Sequence, residues 1–300
     1  MNWAETKAFL FPCLPAMLRD EMDLMYPGEL RELRIRVGRP ALLRTGSRSA
    51  LLPWMPDAQQ VETLAEALSE HSLYARGDET GRGFVTLRGG HRMGLCGSMA
   101  GREGRRSLKH ITSLCIRIAA EWPDCAAPLR PLCLPEGRAE SLLIIGPPGS
   151  GKTTLLRDLA RLMGELPHPP QVALIDERGE LAACMNGVPQ LDVGQTTDVL
   201  HGCPRPEAVQ WLMRSMAPEV IVTDELVTQQ DAAALCDALS MGATVMASIH
   251  AASLNEAASR SGMASLMARR AFAHYAVLSP EGGGRIAAIY DRHGSPVPLP

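Results

Sequence analysis

A glycine-rich segment, 146–153, reads Gly-Pro-Pro-Gly-Ser-Gly-Lys-Thr and follows the apolar run 141–145. Glycines let a backbone wrap closely around an anion, so that successive N–H groups point at phosphate oxygens. In such a loop the ammonium of Lys152 reaches the β- and γ-phosphates, and the Thr153 hydroxyl ligates Mg²⁺. We therefore predict that ATP and Mg²⁺ bind here, with the nucleotide held by Gly146, Pro147, Pro148, Gly149, Ser150, Gly151, Lys152, Thr153 and Thr154.

The context of this segment separates it from a glycine-rich turn that matches the pattern by chance. After the segment, four leucines at helical spacing predict an amphipathic helix over 153–163: Leu155, Leu156, Leu159 and Leu162. A strand before the loop and a helix after it is the arrangement that phosphate binding demands. Lys152 is also the single lysine of residues 141–300.

Two carboxylates, Asp224 and Glu225, end a second apolar run that begins at residue 219. They could simply cap the helix predicted over 229–240. However, ligands gather at the carboxyl ends of parallel strands, which favours a role in chemistry. We predict that Asp224 holds the magnesium shell and that Glu225 polarises the attacking water.

Two further polar segments follow apolar runs and are expected on the same edge of the sheet. Asp176 and Glu177 come after the run 171–175, and His250 comes after the run 243–248. Glu177 could position water or sense the γ-phosphate, or its loop could be solvated and internally paired. His250 could contact the γ-phosphate and switch partners after hydrolysis, or it could be a local structural hydrogen bonder.

Composition excludes several classes of protein. Of the 300 residues, 46% are apolar and 21% charged, with a net charge of −3, which is typical of a globular chain. The eight cysteines are scattered without a Cys-x-x-Cys pair, which favours a reducing compartment. No apolar run approaches the ~20 residues that span a bilayer, so we predict a cytoplasmic protein.

A basic run, Arg102, Arg105, Arg106 and Lys109, is the main alternative interaction signal. It could touch nucleic acid, lipid headgroups or a neighbour's nucleotide, although a charge run is usually a solvated loop. Aromatic residues are only 4% of the chain, which leaves few platforms for base stacking. Nucleic acid is therefore the weaker interpretation.

The pattern of elements predicts two domains separated by a proline-rich linker. Residues 1–127 predict a smaller α+β domain, with a strand at 33–37 that 41–45 pairs back on, a helix over 61–72 and a hairpin around Gly89-Gly90. Residues 128–140 predict the linker. In residues 141–300, buried strands at 141–145, 171–175, 219–222 and 243–248 alternate with helices over 153–163, 207–216 and 229–240. That alternation predicts an α/β domain with a mainly parallel sheet, closed by a hairpin at its edge.

Taken together, these motifs resemble the stage III sporulation protein AA family, bacterial ATPases related to type II and type IV secretion ATPases. The resemblance extends over nearly the whole chain. It rests on 33–40 (Leu-Arg-Ile-Arg-Val-Gly-Arg-Pro), 89–95 (Gly-Gly-His-Arg-Met-Gly-Leu), 111–119, 144–160, 176–180 (Asp-Glu-Arg-Gly-Glu) and 214–218 (Arg-Ser-Met-Ala-Pro).

The resemblance implies a RecA-like P-loop ATPase core, assembly as a homo-hexamer, and partners among the membrane proteins of a sporulation channel complex. It places the ATPase on the mother-cell cytoplasmic side. By position, Asp224 and Glu225 match the Walker B pair, Asp176 and Glu177 the acidic box, and His250 the histidine box. Arg117 matches an N-terminal arginine that faces phosphate.

Three positions depart from the family pattern: Val227 and Ala251 stand where glycine is usual, and Gly179 where serine is usual. Because they surround the predicted catalytic edge, they motivate a second hypothesis, a nucleotide-gated scaffold that hydrolyses ATP little and organises membrane partners. A third hypothesis, a DNA-translocating ATPase, is suggested by the basic run.

Overall fold

The computed structural model describes residues 3–73, 80–81, 83–102 and 105–299. The chain divides into two units: 1–120 together with 183–191, and 121–182 together with 192–300. Each unit has its own hydrophobic core.

The first unit is an antiparallel sheet accompanied by helices. Its strands are β1 (Leu30–Arg36), β2 (Arg39–Thr45), β3 (Ser49–Leu52), β4 (Phe84–Thr86), β5 (Arg92–Arg102) and β6 (Arg105–Arg117), in the order β3-β2-β1-β6-β5-β4. The helices are α1 (Trp3–Leu10), α2 (Ala16–Asp23) and α3 (Ala58–Leu68). Leu33 and Ile35 are buried on one face of β1, as alternation along a half-buried strand requires, and Leu30 is buried beyond a register irregularity between Leu30 and Glu32.

The predictions for this unit are largely confirmed. The β1–β2 pair, α3 and the β4–β5 hairpin lie where the sequence predicts them. The basic run departs from the solvated-loop interpretation, because Arg102 ends β5 and Arg105, Arg106 and Lys109 belong to β6. The side chains of residues 101–107, which include three of those four arginines and lysines, lie outside the described part of the chain.

A buried histidine, His91, joins the β4–β5 turn to the end of β6. Its side chain is 0% exposed, and its Nδ1 accepts a hydrogen bond of 3.0 Å from the Ala119 amide. Burial opposes the charged imidazolium and lowers the pKa of His91 from 6.5 to about 4. The folded unit therefore holds this imidazole neutral.

The second unit is built on a mainly parallel sheet of order β14-β13-β12-β7-β11-β10-β8-β9. Its strands are β7 (Leu142–Ile145), β8 (Val172–Asp176), β9 (Thr197–His201), β10 (Val220–Thr223), β11 (Thr244–Ile249), β12 (His274–Leu278), β13 (Ile286–Asp291) and β14 (Pro296–Val297). The helices are α4 (Arg130–Cys133), α5 (Lys152–Met163), α6 (Arg205–Ser215), α7 (Gln229–Ser240), α8 (Leu254–Ser259) and α9 (Met263–Ala268). The α/β prediction is thus confirmed.

The central strands β7, β8 and β10 are buried along their whole length, which is why their sequences are continuous apolar runs. The hairpin predicted near the end of the chain is also present, as the antiparallel β12–β13 pair. The sequence prediction missed β9, a partly exposed strand that pairs with β8 at the edge of the sheet. Its residues, Thr-Asp-Val-Leu-His, lack the apolar run that signals a buried strand.

The boundary between the units differs from the predicted linker at 128–140, since it falls between Ala120 and Glu121. Residues 121–140 belong to the second unit because its polar groups hold them. The Asp158 carboxylate accepts from the amides of Asp124 at 3.2 Å and Ala126 at 2.8 Å. The prolines that suggested a linker instead occupy first turns of short helices, where a missing N–H costs nothing.

The segment 183–191 returns to the first unit although it lies within the predicted ATPase domain. Its Gln190 side chain accepts from the Gly89 amide at 3.0 Å. A Cβ on Gly90 would lie 2.8 Å from Leu191, so this glycine permits the close approach. Among the described residues, no helix combines the length and hydropathy needed to cross a membrane.

The pKa of His91 predicts that the first unit weakens in acid. Below pH 6.5 the unfolded chain binds a proton that the folded unit refuses until about pH 4. We therefore expect stability to fall by about 3 kcal/mol between those values and to be unaffected by this group above pH 6.5. Amide hydrogen exchange in strands β4 to β6, measured at both ends of the range, reports it for this unit alone.

The matched variant is His91→Gln, whose amide oxygen can still accept from Ala119 but does not titrate. It should lose most of the acid dependence, whereas His110→Gln, at a side chain 64% exposed, should retain it. An unchanged acid dependence in His91→Gln would contradict the assignment.

Candidate functional site

The carboxyl ends of four adjoining strands meet at one edge of the parallel sheet. In the order β7-β11-β10-β8, each strand is hydrogen-bonded to the next. The loops that follow them carry the glycine-rich segment, His250, the pair Asp224 and Glu225, and the segment from Asp176. The sheet therefore brings together the four segments that the sequence predicted to share one edge.

The glycine-rich loop passes from β7 into α5 in a conformation that its glycines permit. Gly149 and Gly151 have φ values of +75° and +102°, in the left-handed region that favours glycine. A Cβ on Gly151 would lie 2.7 Å from the Gly284 nitrogen in the β12–β13 loop. That loop also holds the segment directly, because the Gly284 amide donates to the Ser150 carbonyl at 2.9 Å.

Lys152 is folded inward over this loop. Its Nζ donates to the carbonyls of Gly146 and Pro147, each at 2.8 Å, and lies 3.0 Å from Nδ1 of His250. Burial lowers the pKa of the Lys152 ammonium, while the charges of Asp224 and Glu225 oppose that change. The Lys152 ammonium thus contacts the carbonyls of the loop and lies in the electrostatic field of Asp224 and Glu225.

The Asp224 carboxylate connects three of the loops at this edge. One oxygen accepts from the Thr153 hydroxyl at the start of α5, and the other accepts from the Ser248 hydroxyl of β11. The Glu225 amide adds a third donor at 2.9 Å. Ser248 has no assigned role in the sequence prediction, although it lies two residues before His250.

Glu225 follows in a strained conformation, with φ at +49°, which costs a non-glycine residue about 1–3 kcal/mol. Its carboxylate pairs with Arg178 through one oxygen, and its other oxygen lies 3.1 Å from Nε2 of His250. Because ammonium only donates and carboxylate only accepts, a neutral His250 with its proton on Nε2 satisfies both neighbours. His250 therefore bridges Lys152 and Glu225.

Asp176 and Glu177, predicted as a pair, have different surroundings. Asp176 is 2% exposed, and its carboxylate accepts from the amides of Glu180, Leu181 and Ala182 at 2.8–3.1 Å. It therefore fixes the shape of its own loop. Glu177 borders a small cleft whose lining includes Arg178, Asp224 and Glu225.

Helix α5 is joined to the loop after β8 by Arg157, whose side chain lies in the interior of the unit. Its guanidinium donates to the carbonyls of Leu181 at 2.5 Å and Glu180 at 2.8 Å. Burial lowers the pKa of Arg157, against the opposing charges of neighbouring acids. Movement of α5 and of the loop after β8 is thereby coupled.

The three departures from the family pattern have local explanations. Gly179 adopts φ +70°, which favours glycine over serine. At Val227 the turn after Glu225 does not need glycine, because Asp231 accepts from the amides of Val227 at 3.2 Å and Thr228 at 2.8 Å. Ala251 is 4% exposed and packs into the core of the unit.

Sequence reasoning assigned no role to two arginines at this edge, Arg178, which pairs with Glu225, and Arg205. Arg205 is 5% exposed and lies at the start of α6. Its Nε donates to the Thr223 hydroxyl at 2.7 Å, and its Nη2 donates to the Asp224 carbonyl. The signal in the sequence was an arginine at a helix N-terminus, where the helix dipole disfavours positive charge.

Arg117, predicted to face phosphate, is at the end of β6 in the first unit, opposite Arg92 on β5 and Glu32 on β1. Its role remains a prediction.

The donor set at Thr153 and Asp224 fits Mg²⁺. A hydroxyl and a carboxylate oxygen lie within hydrogen-bond distance of each other, and both are hard oxygen ligands. Mg²⁺ is usually held by one or two protein oxygens together with phosphate oxygens and water. Within the described ranges there is no cluster of three or more His, Cys, Asp or Glu side chains suited to a metal.

The sheet order, the glycine-rich loop after β7 and the acidic ends of the neighbouring strands define a RecA-like P-loop fold. Solved structures agree. The ATPase DotB of Legionella pneumophila matches with a TM-score of 0.55 at 16% identity, over 83% of this chain and 72% of that one. The pilus retraction motor PilT, solved with bound ADP, matches with a TM-score of 0.60 at 15% identity, over 88% and 78%.

The family follows from the sequence comparison. The model of the family "Sporulation stage III, protein AA" matches residues 10–297, and the chain belongs to that family. The stage III sporulation protein AA of Bacillus subtilis is 39% identical over 272 residues, which cover 89% of this chain and 88% of that protein. The resemblance drawn from the motifs is confirmed.

The contact between the glycine-rich loop and Gly284 predicts unequal effects of two glycine substitutions. Gly149→Ala meets nothing within 4 Å and should cost only the left-handed conformation, about 1–2 kcal/mol. Gly151→Ala adds a collision with the Gly284 backbone, so it should cost about 1–3 kcal/mol more. Chemical denaturation of the two variants and the parent protein measures this difference, and equal losses would contradict it.

Proposed function

We propose that this protein binds and hydrolyses MgATP at the edge formed by β7, β11, β10 and β8, and that hydrolysis drives a conformational cycle. The observation that carries the proposal is the convergence of Lys152, Thr153, Asp224 and Glu225 from two different loops onto that edge. A loop that binds an anion does not require two acids beside it, whereas phosphoryl transfer to water requires a metal site and a group that orients the water.

The roles follow from the contacts of each group. The backbone N–H groups of 149–154 would bind the phosphates, and Lys152 would exchange its carbonyl contacts at Gly146 and Pro147 for β- and γ-phosphate oxygens. Thr153 and Asp224 would hold Mg²⁺, which neutralises charge that develops on the phosphates. Glu225 would orient or deprotonate the water that attacks the γ-phosphate.

Two neighbours would control when Glu225 acts. Each of its oxygens has one partner, Arg178 or His250, so these two groups set the orientation in which Glu225 would accept a hydrogen bond from a water. Because His250 also contacts Lys152, movement of the ammonium towards a phosphate would remove one partner of the histidine. The imidazole of His250 would thereby link phosphate binding at Lys152 to the separation of Glu225 from His250.

The same pairing favours a second candidate function. A protein whose water-orienting carboxylate stays paired would bind ATP, hydrolyse it slowly and act as a nucleotide-gated scaffold for membrane partners. Steady-state turnover of the pure protein, with and without those partners, discriminates between the two, since fast turnover by the isolated protein excludes the scaffold.

The work of the cycle is assigned from the family. Membership in the stage III sporulation protein AA family supports a role on the cytoplasmic, mother-cell side of a sporulation channel complex, with membrane proteins of that complex as partners. Assembly as a homo-hexamer, and Arg117 as a phosphate-facing arginine, belong to the same proposal.

The assignment of Glu225 predicts a separation of binding from turnover. Glu225→Gln keeps the shape of the side chain and should retain MgATP affinity while lowering phosphate release on the order of 10²–10⁴-fold. Lys152→Ala should lose nucleotide binding itself. Titration with a fluorescent ATP analogue and a phosphate-release assay measure the two quantities.

The matched control is Glu207→Gln, an exposed acid on α6, which should leave both quantities unchanged. Wild-type phosphate release from Glu225→Gln would contradict its assigned role.

The hexamer predicts a change of mass with nucleotide. Light scattering of Glu225→Gln with MgATP should give about six times the chain mass of 32.3 kDa, and a lower mass without nucleotide. A mass that stays at one chain under both conditions would indicate a monomeric switch instead of a ring.

A further inference from the structure

Arg205 makes more contacts at the catalytic edge than helix formation requires. Besides the Thr223 hydroxyl and the Asp224 carbonyl, its Nη1 lies 3.0 Å from the Asp231 carboxylate. Glu177 approaches the same guanidinium at 3.6 Å. The side chains of Arg205 and Asp231 are only 6% and 7% exposed, so their charges are largely removed from water.

Burying this charge is costly unless its partners are well placed. The position also works against it, because Arg205 begins α6 and the start of a helix carries partial positive charge. Neither packing nor helix propensity explains an arginine there. Its guanidinium instead donates to three groups of one turn, the Thr223 hydroxyl, the Asp224 carbonyl and the Asp231 carboxylate.

That turn runs from Thr223 at the end of β10 to Asp231 in the first turn of α7, and Arg205 contacts both ends of it. Asp231 in turn accepts from the amides of Val227 and Thr228. Between these fixed points lies Glu225, in its left-handed conformation. A residue held in such a conformation keeps it only when its surroundings fix the backbone on both sides.

We propose that Arg205 is a positioning residue for ATP hydrolysis: it fixes the turn 223–231 so that Asp224 and Glu225 present their carboxylates to the nucleotide. By holding the Asp224 carbonyl, it leaves the carboxylate of that residue facing Thr153 and Ser248. Through Glu177 it also joins the loop after β8 to the same turn. This inference rests on the proposed function and deepens it.

The inference separates turnover from binding. Among the described residues no hydrogen bond or ion pair joins Arg205 to the loop 146–154, so Arg205→Gln should leave the affinity for ATP without Mg²⁺ within about threefold. Turnover should fall about 10–100-fold, the range seen when outer-shell partners of a site are removed. Arg205→Lys keeps a charge near Asp231 but lacks the planar fork that reaches two oxygens at once, so it should restore folding stability without restoring turnover.

Thr223→Val tests the same contact from the other side, since it removes the acceptor of Nε with little change of shape. It should lower turnover as Arg205→Gln does, and the double variant should lose little more than either single one, because contacting residues are not additive. Arg292→Gln, an exposed arginine after β13, is the control and should behave as wild type.

The experiment measures kcat with MgATP and the affinity for ATP without Mg²⁺ for these variants, with hydrogen exchange of the peptide 223–231 as a second readout. Faster exchange in that peptide and lower kcat in Arg205→Lys, at unchanged affinity, support the inference. Wild-type kcat in both Arg205 variants overturns it, and so does a loss confined to affinity. A wild-type protein without turnover contradicts the proposed function instead, and unaltered exchange in 223–231 then overturns the inference independently.

Discussion

The carboxylate of Asp224 is the group on which the arrangement of the site depends. It receives hydrogen bonds from Thr153 at the start of α5, from Ser248 at the end of β11 and from the next residue in its own loop. Parallel strands place these loops at one edge but do not fix their distance from one another. A single acceptor with donors from three directions does so, and the same oxygens suit a hard cation.

Around that carboxylate, charged side chains and one histidine are linked to one another by direct contacts. Lys152, His250, Glu225 and Arg178 form one continuous series of contacts, and Arg205 closes the opposite side through Glu177 and Asp231. Each group in this series shares a partner with the next one. A substitution at one of these side chains is therefore expected to affect its neighbours in the series as well.

The sequence was sufficient to locate the site where an apolar run is followed directly by glycine or by acidic residues. Continuous apolar runs located β7, β8, β10 and β11, and glycine or acid at their ends located the edge, because a buried parallel strand must be apolar along its whole length. It was insufficient where a contact is made over a long sequence separation. Nothing near Arg205 reveals Thr223 or Asp231, and the prolines of 128–140 indicated a linker because the Asp158 carboxylate that holds the neighbouring backbone comes later in the chain.

The loop between β12 and β13 has a consequence for the integrity of the gene product. Gly282, Gly283 and Gly284 all take left-handed conformations, and the last of them supports the phosphate loop through Ser150. The glycine-rich loop 146–153 comes well over a hundred residues earlier in the chain, yet its shape is completed by these glycines. A nonsense mutation before Gly284 would spare every residue of the P-loop and still leave that loop without its backbone support.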